Sequence, residues 1–262
     1  MKLLWLILIP SFAQAFTLNN SIGARFGENS VSVRVGINPT PCDNIDLDEV
    51  TGMLSAAIND YWNTVPTSRL KLTDGGSYNT ADDDFHTGEL CLTGGICGGT
   101  PVPGVSDIVV TCNKNSSNFT AGSLLALTLP NVIRGKDIRG AVILLNDLST
   151  TFDQLSYDKK VAVISHEIGH AIGLGHSEER AALMYYAVVP QRNSLGQDDI
   201  DGVTYLYPMQ FDVFGAGCFL GSTADTPTTG GGSFWPTALL GLVLALVLKS
   251  RSKKSRAASF RA

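Results

Sequence analysis

The sequence predicts an α+β fold, and three observations carry that reading. Val31, Val33, Val35 and Ile37 alternate with small or polar residues, as a half-buried strand does. Leu47, Val50, Leu54, Ile58, Tyr61 and Val65 recur at helical spacing behind a start signal at Asp46 and Glu49, giving an amphipathic helix that packs on a sheet. Along the rest of the chain, strands and helices mix without a βαβ repeat.

Pro39 and Pro41 end the first strand, and Pro66 stops the helix. Phe16 to Ser30 reads as a polar lead-in. Further strands are expected at Arg69 to Leu72, at Asp107 to Thr111 and at Arg139 to Leu145, with a turn from Asn113 to Asn118. Asn19, Asn115 and Asn118 each begin an N-x-S/T sequon, which matters only where exported chains are glycosylated. From Thr73 to Ser106, Gly, Asp and Thr dominate, so this stretch reads as a long exposed loop region. Asp82, Asp83 and Asp84 lack Ca²⁺-loop spacing, so a solvated acidic turn is expected and Ca²⁺ is an unsupported cofactor. His86, alone in this region, is expected at the surface. Ser156 is expected to cap a helix on which Val161, Ile164, Ile168 and Ile172 share one face. Ser194 and Gln197 resemble a capping box for a last helix, with Ile200, Val203 and Leu206 turned inward.

The two ends differ from the body. Lys2, the apolar run Leu3 to Pro10 and Ala13-Gln14-Ala15 read as a secretory signal peptide over residues 1–15, cleaved before Phe16. Residues 16–210 are then the folded domain, and 211–233, rich in Gly, Thr, Ser and Pro, a linker. Residues 234–248 are continuously apolar, and 249–262 carry Lys249, Arg251, Lys253, Lys254, Arg256 and Arg261. A helix of that length spans about 22 Å against a hydrocarbon core of ~30 Å, so it is a marginal membrane anchor with a cytoplasmic basic end. Gly230-Gly231-Gly232-Ser233, the short apolar helix and the basic cluster together resemble the Gly-Gly type of C-terminal sorting signal of Gram-negative bacteria. That resemblance implies transient retention in the inner membrane and a sorting protease as partner; a permanent single-span anchor is the competing reading. Either way the body is exported, to the cell surface or beyond.

Residues 1–15 and 234–262 hold seven of the 19 Lys and Arg and none of the 24 Asp and Glu, leaving the body, domain and linker together, 12 cations and a formal charge of −12. Such a surface repels phosphate backbones, which argues against nucleic acid as a partner. Five cysteines in an exported chain indicate disulfides. Cys42, Cys91, Cys97 and Cys112 allow three connectivities, of which Cys91 with Cys97 and Cys42 with Cys112 are favoured; Cys218 is left over, close to the linker.

Chemistry is stated outright in one stretch, His166 to His176, HEIGHAIGLGH. His166 and His170, four apart, lie on one face of a helix and can chelate one metal ion. Gly173 lets the chain leave the helix in a conformation closed to residues with a Cβ, so that His176 swings round as a third ligand. Three nitrogens and one open position describe a catalytic zinc site. Glu167 is placed to act as general base on a water at that site.

HExxHxxGxxH is the metzincin protease signature, matched at His166, Glu167, His170, Gly173 and His176. Ser177, Ala182-Leu183-Met184-Tyr185 and Gln197-Asp198-Asp199-Ile200-Asp201-Gly202 resemble the matrixin branch, the family of the matrix metalloproteinases. The resemblance implies a mostly parallel twisted sheet with an active-site helix, a second helix packed on the sheet and a C-terminal helix. It also implies a zinc endopeptidase acting on protein or peptide substrates, one catalytic Zn²⁺, and Met184 as the Met-turn residue beneath the site. Substrate would lie extended along an edge strand, here Arg139 to Leu145. There are departures. No cysteine-bearing propeptide is expected between the cleavage site and the first strand, and His86 alone cannot supply the ligands of a second zinc. Tyr186 stands where matrixins usually have proline; there it resembles the astacin and serralysin branches, whose tyrosine binds zinc or stabilises the transition state, with an aromatic pocket wall as the alternative. A catalytically silent zinc-containing surface binding or adhesion module and a hydrolase of non-protein substrates are the remaining functional classes, and the intact Glu167 speaks against the first.

Overall fold

The computed structural model describes residues 16–20, 23–27, 32–37, 41–78, 84–91, 100–101, 107–120, 123–187 and 193–209 of the 262. The chain divides into two units, Met1–Phe211 and Asp212–Ala262, and every described residue belongs to the first. The expected signal peptide, linker, apolar segment and basic tail therefore lie outside the described residues, among which no helix is long and apolar enough to cross a membrane.

Period-two patterning builds the central sheet. Its strands are β1 (Arg25–Phe26), β2 (Ser32–Ile37), β3 (Lys71–Ser77), β6 (Asp107–Asn113), β7 (Ala126–Arg134) and β8 (Asp137–Asn146). They run in the order β1-β8-β6-β2-β3, all parallel, with β7 joined antiparallel to β8. A separate pair, β4 (Leu90–Cys91) and β5 (Thr100–Pro101), forms a small parallel ladder.

Alternation sorts the side chains of β6 and β8 onto two faces. Ile108, Val110 and Cys112 with Ala141, Ile143 and Leu145 face the main core, whereas Val109, Val142 and Leu144 join Phe85, Leu90, Phe119 and Leu129 on the opposite face. The run Ala141 to Leu145 is apolar throughout because both faces are covered, as parallel strands require.

Helices cover the main face. Helix α1 (Leu47–Ala56) starts where Asp46 Oδ1 accepts from the N–H groups of Asp48 and Glu49, at 2.9 and 3.3 Å. The predicted helical stripe does not stay α-helical to its end: it passes through a π turn, Ala57–Tyr61, and a 3₁₀ turn, Trp62–Thr64, before Pro66. That change of pitch buries Trp62 completely, and its indole N–H donates to Ser165 O at 2.9 Å. Ser165 belongs to α3 (Tyr157–Ala171), whose Val161, Ile164, Ile168 and following Ile172 are all buried, as the spacing predicts. Each such side chain contributes roughly 2 kcal/mol by burial. Ser156 occupies the N-cap position of α3 without a side-chain capping bond.

Several expectations are corrected. The lead-in contains β1, and the strand after the first helix begins at Lys71 and runs to Ser77. Residues 73–106 are not simply an exposed loop: helix α2 (Asp84–Thr87) buries Phe85 and His86. Phe85 stays inside by filling the second hydrophobic cluster. Asn118 is buried too, its amide donating to Gly88 O and Asn113 Oδ1. Arg139 to Leu145 is not an edge, because β8 is bonded by β6 on one side and β7 on the other. The last helix, α4 (Gln197–Leu206), is capped at Gly196 rather than at Ser194, with the Asp199 carboxylate accepting from Gly196 N at 2.7 Å. One βαβ unit is present, β2-α1-β3, but it is not repeated.

Cys42 is bonded to Cys112, tying the segment before α1 to the end of β6 across 70 residues of sequence. The other favoured pairing involves Cys97, which is outside the described residues. Closing a loop of this length restricts the unfolded chain by about 4 kcal/mol in the chain-entropy account. A paired Cys42→Ala, Cys112→Ala variant is expected to lose about 3–4 kcal/mol in urea denaturation. A loss under ~1 kcal/mol would show that the cross-link adds little to a segment already fixed by packing.

Candidate metal centre

The last two turns of α3 present His166 and His170 on the face turned away from the core, and both rings are half-buried. The helix ends at Ile172, and Gly173 follows with φ +113°, where a Cβ would meet Ala24 O at 2.5 Å. Through that turn the chain brings back His176, whose backbone carbonyl accepts from Thr17 Oγ1 at 2.5 Å. The three rings converge, with centroids 4.8, 5.4 and 4.7 Å apart for the pairs 166–170, 166–176 and 170–176.

Nitrogen geometry fits a zinc ion. His166 Nδ1 lies 2.8 Å from Leu183 O, and His170 Nδ1 lies 2.8 Å from Leu174 O. A carbonyl accepts only, so both rings carry their proton on Nδ1 and keep Nε2 as a lone-pair donor. His170 Nε2 and His176 Nε2 are 3.2 Å apart. Zn–N bonds of ~2.05 Å at tetrahedral angles put two nitrogens about 3.3 Å apart. Burial holds both His170 and His176 below the ordinary imidazole range, which favours the neutral ligating form.

Glu167 lies beside these rings and is itself buried. Burial pushes its carboxyl up to about 7, opposed by a hydrogen bond from Thr128 and by the charge of His176. Thr128 Oγ1 donates to Glu167 Oε2 at 2.5 Å; it stands on β7, which neither hydropathy nor motif singled out.

Beneath the helix, Met184 is 2 % exposed and packs against Gly169, where a Cβ would collide with its sulfur and with the Trp62 ring. Its backbone is held from α4: Asp199 Oδ2 accepts from Leu183 N at 2.6 Å and Oδ1 from Met184 N at 2.9 Å. Burial pushes the Asp199 carboxyl up, and three backbone N–H groups pull it back down. Ser177 N, just past the third histidine, donates to Met184 O at 2.7 Å. Tyr186 is 67 % exposed, its ring 4.3 Å from that of Tyr185, whose hydroxyl donates to it at 3.1 Å.

His86 needs correction here as well. It is 7 % exposed, and its Nε2 lies 2.8 Å from Asp147 Oδ2, because Asp147 is a buried acceptor at the end of β8. Asp43 completes this second group of ligating types. Asp147 also accepts from Asp43 N and Asn44 N at 2.6 and 2.7 Å, and the Asp43 carboxylate from Lys114 Nζ at 2.8 Å. Both oxygens of Asp147 are thus engaged by protein donors, and the exposed Asp43 carboxylate is paired with Lys114.

The chain resembles known metalloproteinases. The matrixin (Peptidase_M10) family profile matches residues 44–208, well over half of the chain. The chain belongs to the matrixin family. Over 48 residues it is 50% identical to metalloendoproteinase 1 of Glycine max, covering 18% of this chain and 16% of that protein. Over 48 residues it is 52% identical to neutrophil collagenase of Homo sapiens, covering 17% and 10%, and 48% identical to matrix metalloproteinase-27 of Tupaia belangeri, covering 17% and 9%. The matched segment thus spans less than a fifth of each of these relatives. The three-histidine group of this matrixin fits the zinc on which the family depends.

If Asp199 braces the centre, Asp199→Ala should lower unfolding stability by about 3 kcal/mol, since it strands three backbone N–H groups at once. Zinc affinity, measured by competition with a chromogenic chelator, should weaken about tenfold as Leu183 O loses its position. Unchanged affinity in a folded variant would show that His166 is oriented without it.

Proposed function

We propose that this matrixin is a zinc-dependent endopeptidase that hydrolyses protein or peptide substrates outside the cytoplasm, with Glu167 as general base. The observation that carries the reading is the buried Glu167 carboxylate set beside three converging histidines, two of which, His166 and His170, keep Nε2 for a metal. Zinc, when bound, supplies Lewis acidity toward the reacting water and carbonyl. His166, His170 and His176 would hold the ion. Glu167 takes a proton from the attacking water as its oxygen bonds to the peptide carbon, and returns a proton to the leaving amine as the C–N bond breaks. Met184 shapes the floor. The high exposure of Tyr186 and its tilted ring contact with Tyr185 support an aromatic wall on the substrate side rather than a place among the ligands.

Export rests on the sequence of residues 1–15, and membrane retention on residues 234–248 with the basic run that follows. A mass spectrum of the mature protein reads both ends. A chain beginning at Phe16 and ending near Gly230 supports export with removal of the sorting tail, whereas an intact C-terminus supports a standing anchor.

Glu167→Gln should bind zinc at one equivalent and lose cleavage of casein or a peptide library by about 10²–10⁴-fold. Near-normal cleavage by this variant would remove Glu167 from the mechanism. A wild-type protein that binds zinc and cleaves nothing in the library would favour the binding-module reading instead.

A further inference from the structure

We infer that Thr128 is a positioning residue for the reaction: its hydroxyl, presented from the outermost strand β7, fixes the Glu167 carboxylate in the orientation from which it acts. The inference rests on the reading of Glu167 as the base and deepens it.

Two features of the strand place the hydroxyl there. Antiparallel pairing with β8 sets Thr128 opposite Ile143, which faces the main core and the α3 side of the sheet. Alternation sends Leu127 and Leu129 to the other face, where both pack in the second hydrophobic cluster. Thr128 is thereby the residue of that strand segment whose side chain meets α3 at Glu167, and a one-residue slip would exchange it for a leucine.

The bond is well defined chemically. Thr128 Oγ1 lies 2.5 Å from Glu167 Oε2 and 3.1 Å from the Glu167 carbonyl oxygen. A hydroxyl has one proton, and the nearer, carboxylate acceptor takes it. Oε1 accepts no hydrogen bond from the described residues, so one oxygen is tethered and the other is left for the reacting water. Glutamate has three side-chain torsions, and β7 removes the freedom of the last of them. Among the described residues β7 bonds only β8, so the strand that orients the base also borders the sheet, where an extended peptide can add. The base is therefore held in register with that edge.

The test compares Thr128→Val, Thr128→Ser and Glu167→Gln with wild-type protein. Thr128→Val keeps the shape and deletes the hydroxyl. It should lower kcat about 10–100-fold with KM within about twofold, at unchanged zinc stoichiometry and melting temperature. Thr128→Ser restores the hydroxyl and should recover kcat to within about threefold of wild type. A crystal structure of metal-free Thr128→Val should show the Glu167 carboxylate turned out of its wild-type torsion, a readout independent of activity. Wild-type kcat in Thr128→Val alongside an inactive Glu167→Gln would overturn the positioning role and leave the base assigned. An active Glu167→Gln would instead overturn the base and the inference with it. A Thr128→Val loss that Thr128→Ser does not rescue, or that tracks a fall in melting temperature, would make Thr128 structural only and overturn the inference.

Discussion

The carboxylate of Asp199 accepts three backbone hydrogen bonds, from Leu183, Met184 and Gly196, and the geometry of the centre hangs on them. Two of the three fix the Leu183–Met184 peptide. Leu183 then offers its own carbonyl to His166 Nδ1, and Met184 offers its carbonyl to Ser177 N, one residue beyond His176. A single buried charge on α4 thus sets two strands of the site that are far apart in sequence. Three N–H donors on its two oxygens offset part of the desolvation of an ionised carboxylate.

From the other side, α3 is held by close packing. Gly169 brings the helix down onto Met184 and Trp62, and any side chain there would push His166 and His170 away from the loop that orients them. Trp62 reaches this position because α1 changes pitch through a π turn, and its N–H is satisfied by Ser165 O. Just past the helix, the Tyr207 hydroxyl donates to Ile172 O at 2.7 Å and accepts from Phe26 N at 3.0 Å, joining the helix end to β1. The bend at Gly173 therefore starts from a fixed point, and the placement of His176 follows from it.

How much of this was legible in the sequence depended on range. The helical stripe of α3, the start at Asp46 and the three histidines are local patterns, and they appear where the periodicity puts them. The burial of His86 was not legible, because it depends on Asp147 sixty-one positions away in sequence. The cap of α4 was misplaced because Asp199 turns back to Gly196 while also serving residues 183 and 184, a bond set that only tertiary proximity explains. The edge strand was missed since β7 mixes apolar residues on both faces. One signal was present: Pro130 lacks an N–H and is tolerated in a strand chiefly at an edge. Thr128 carried none, for its role arises only when β7 is laid beside α3.

The choice of partners around the histidines has an electrostatic consequence. His166 and His170 direct Nδ1 at backbone carbonyls rather than at carboxylates, so these partners orient the rings without adding negative charge. An imidazole bonded to a carbonyl is a weaker base than one bonded to a carboxylate, and it cancels less of the charge of a bound ion. The compensating charge near the ligands then falls to Glu167, whose burial resists ionisation and whose bond from Thr128 favours it. A positive ion beside that carboxylate acts in the same direction as Thr128. On the proposed reading, occupancy of the metal centre and ionisation of Glu167 are thus coupled through one residue, which sits on the helix between His166 and His170 and is tied to the sheet by a single hydroxyl.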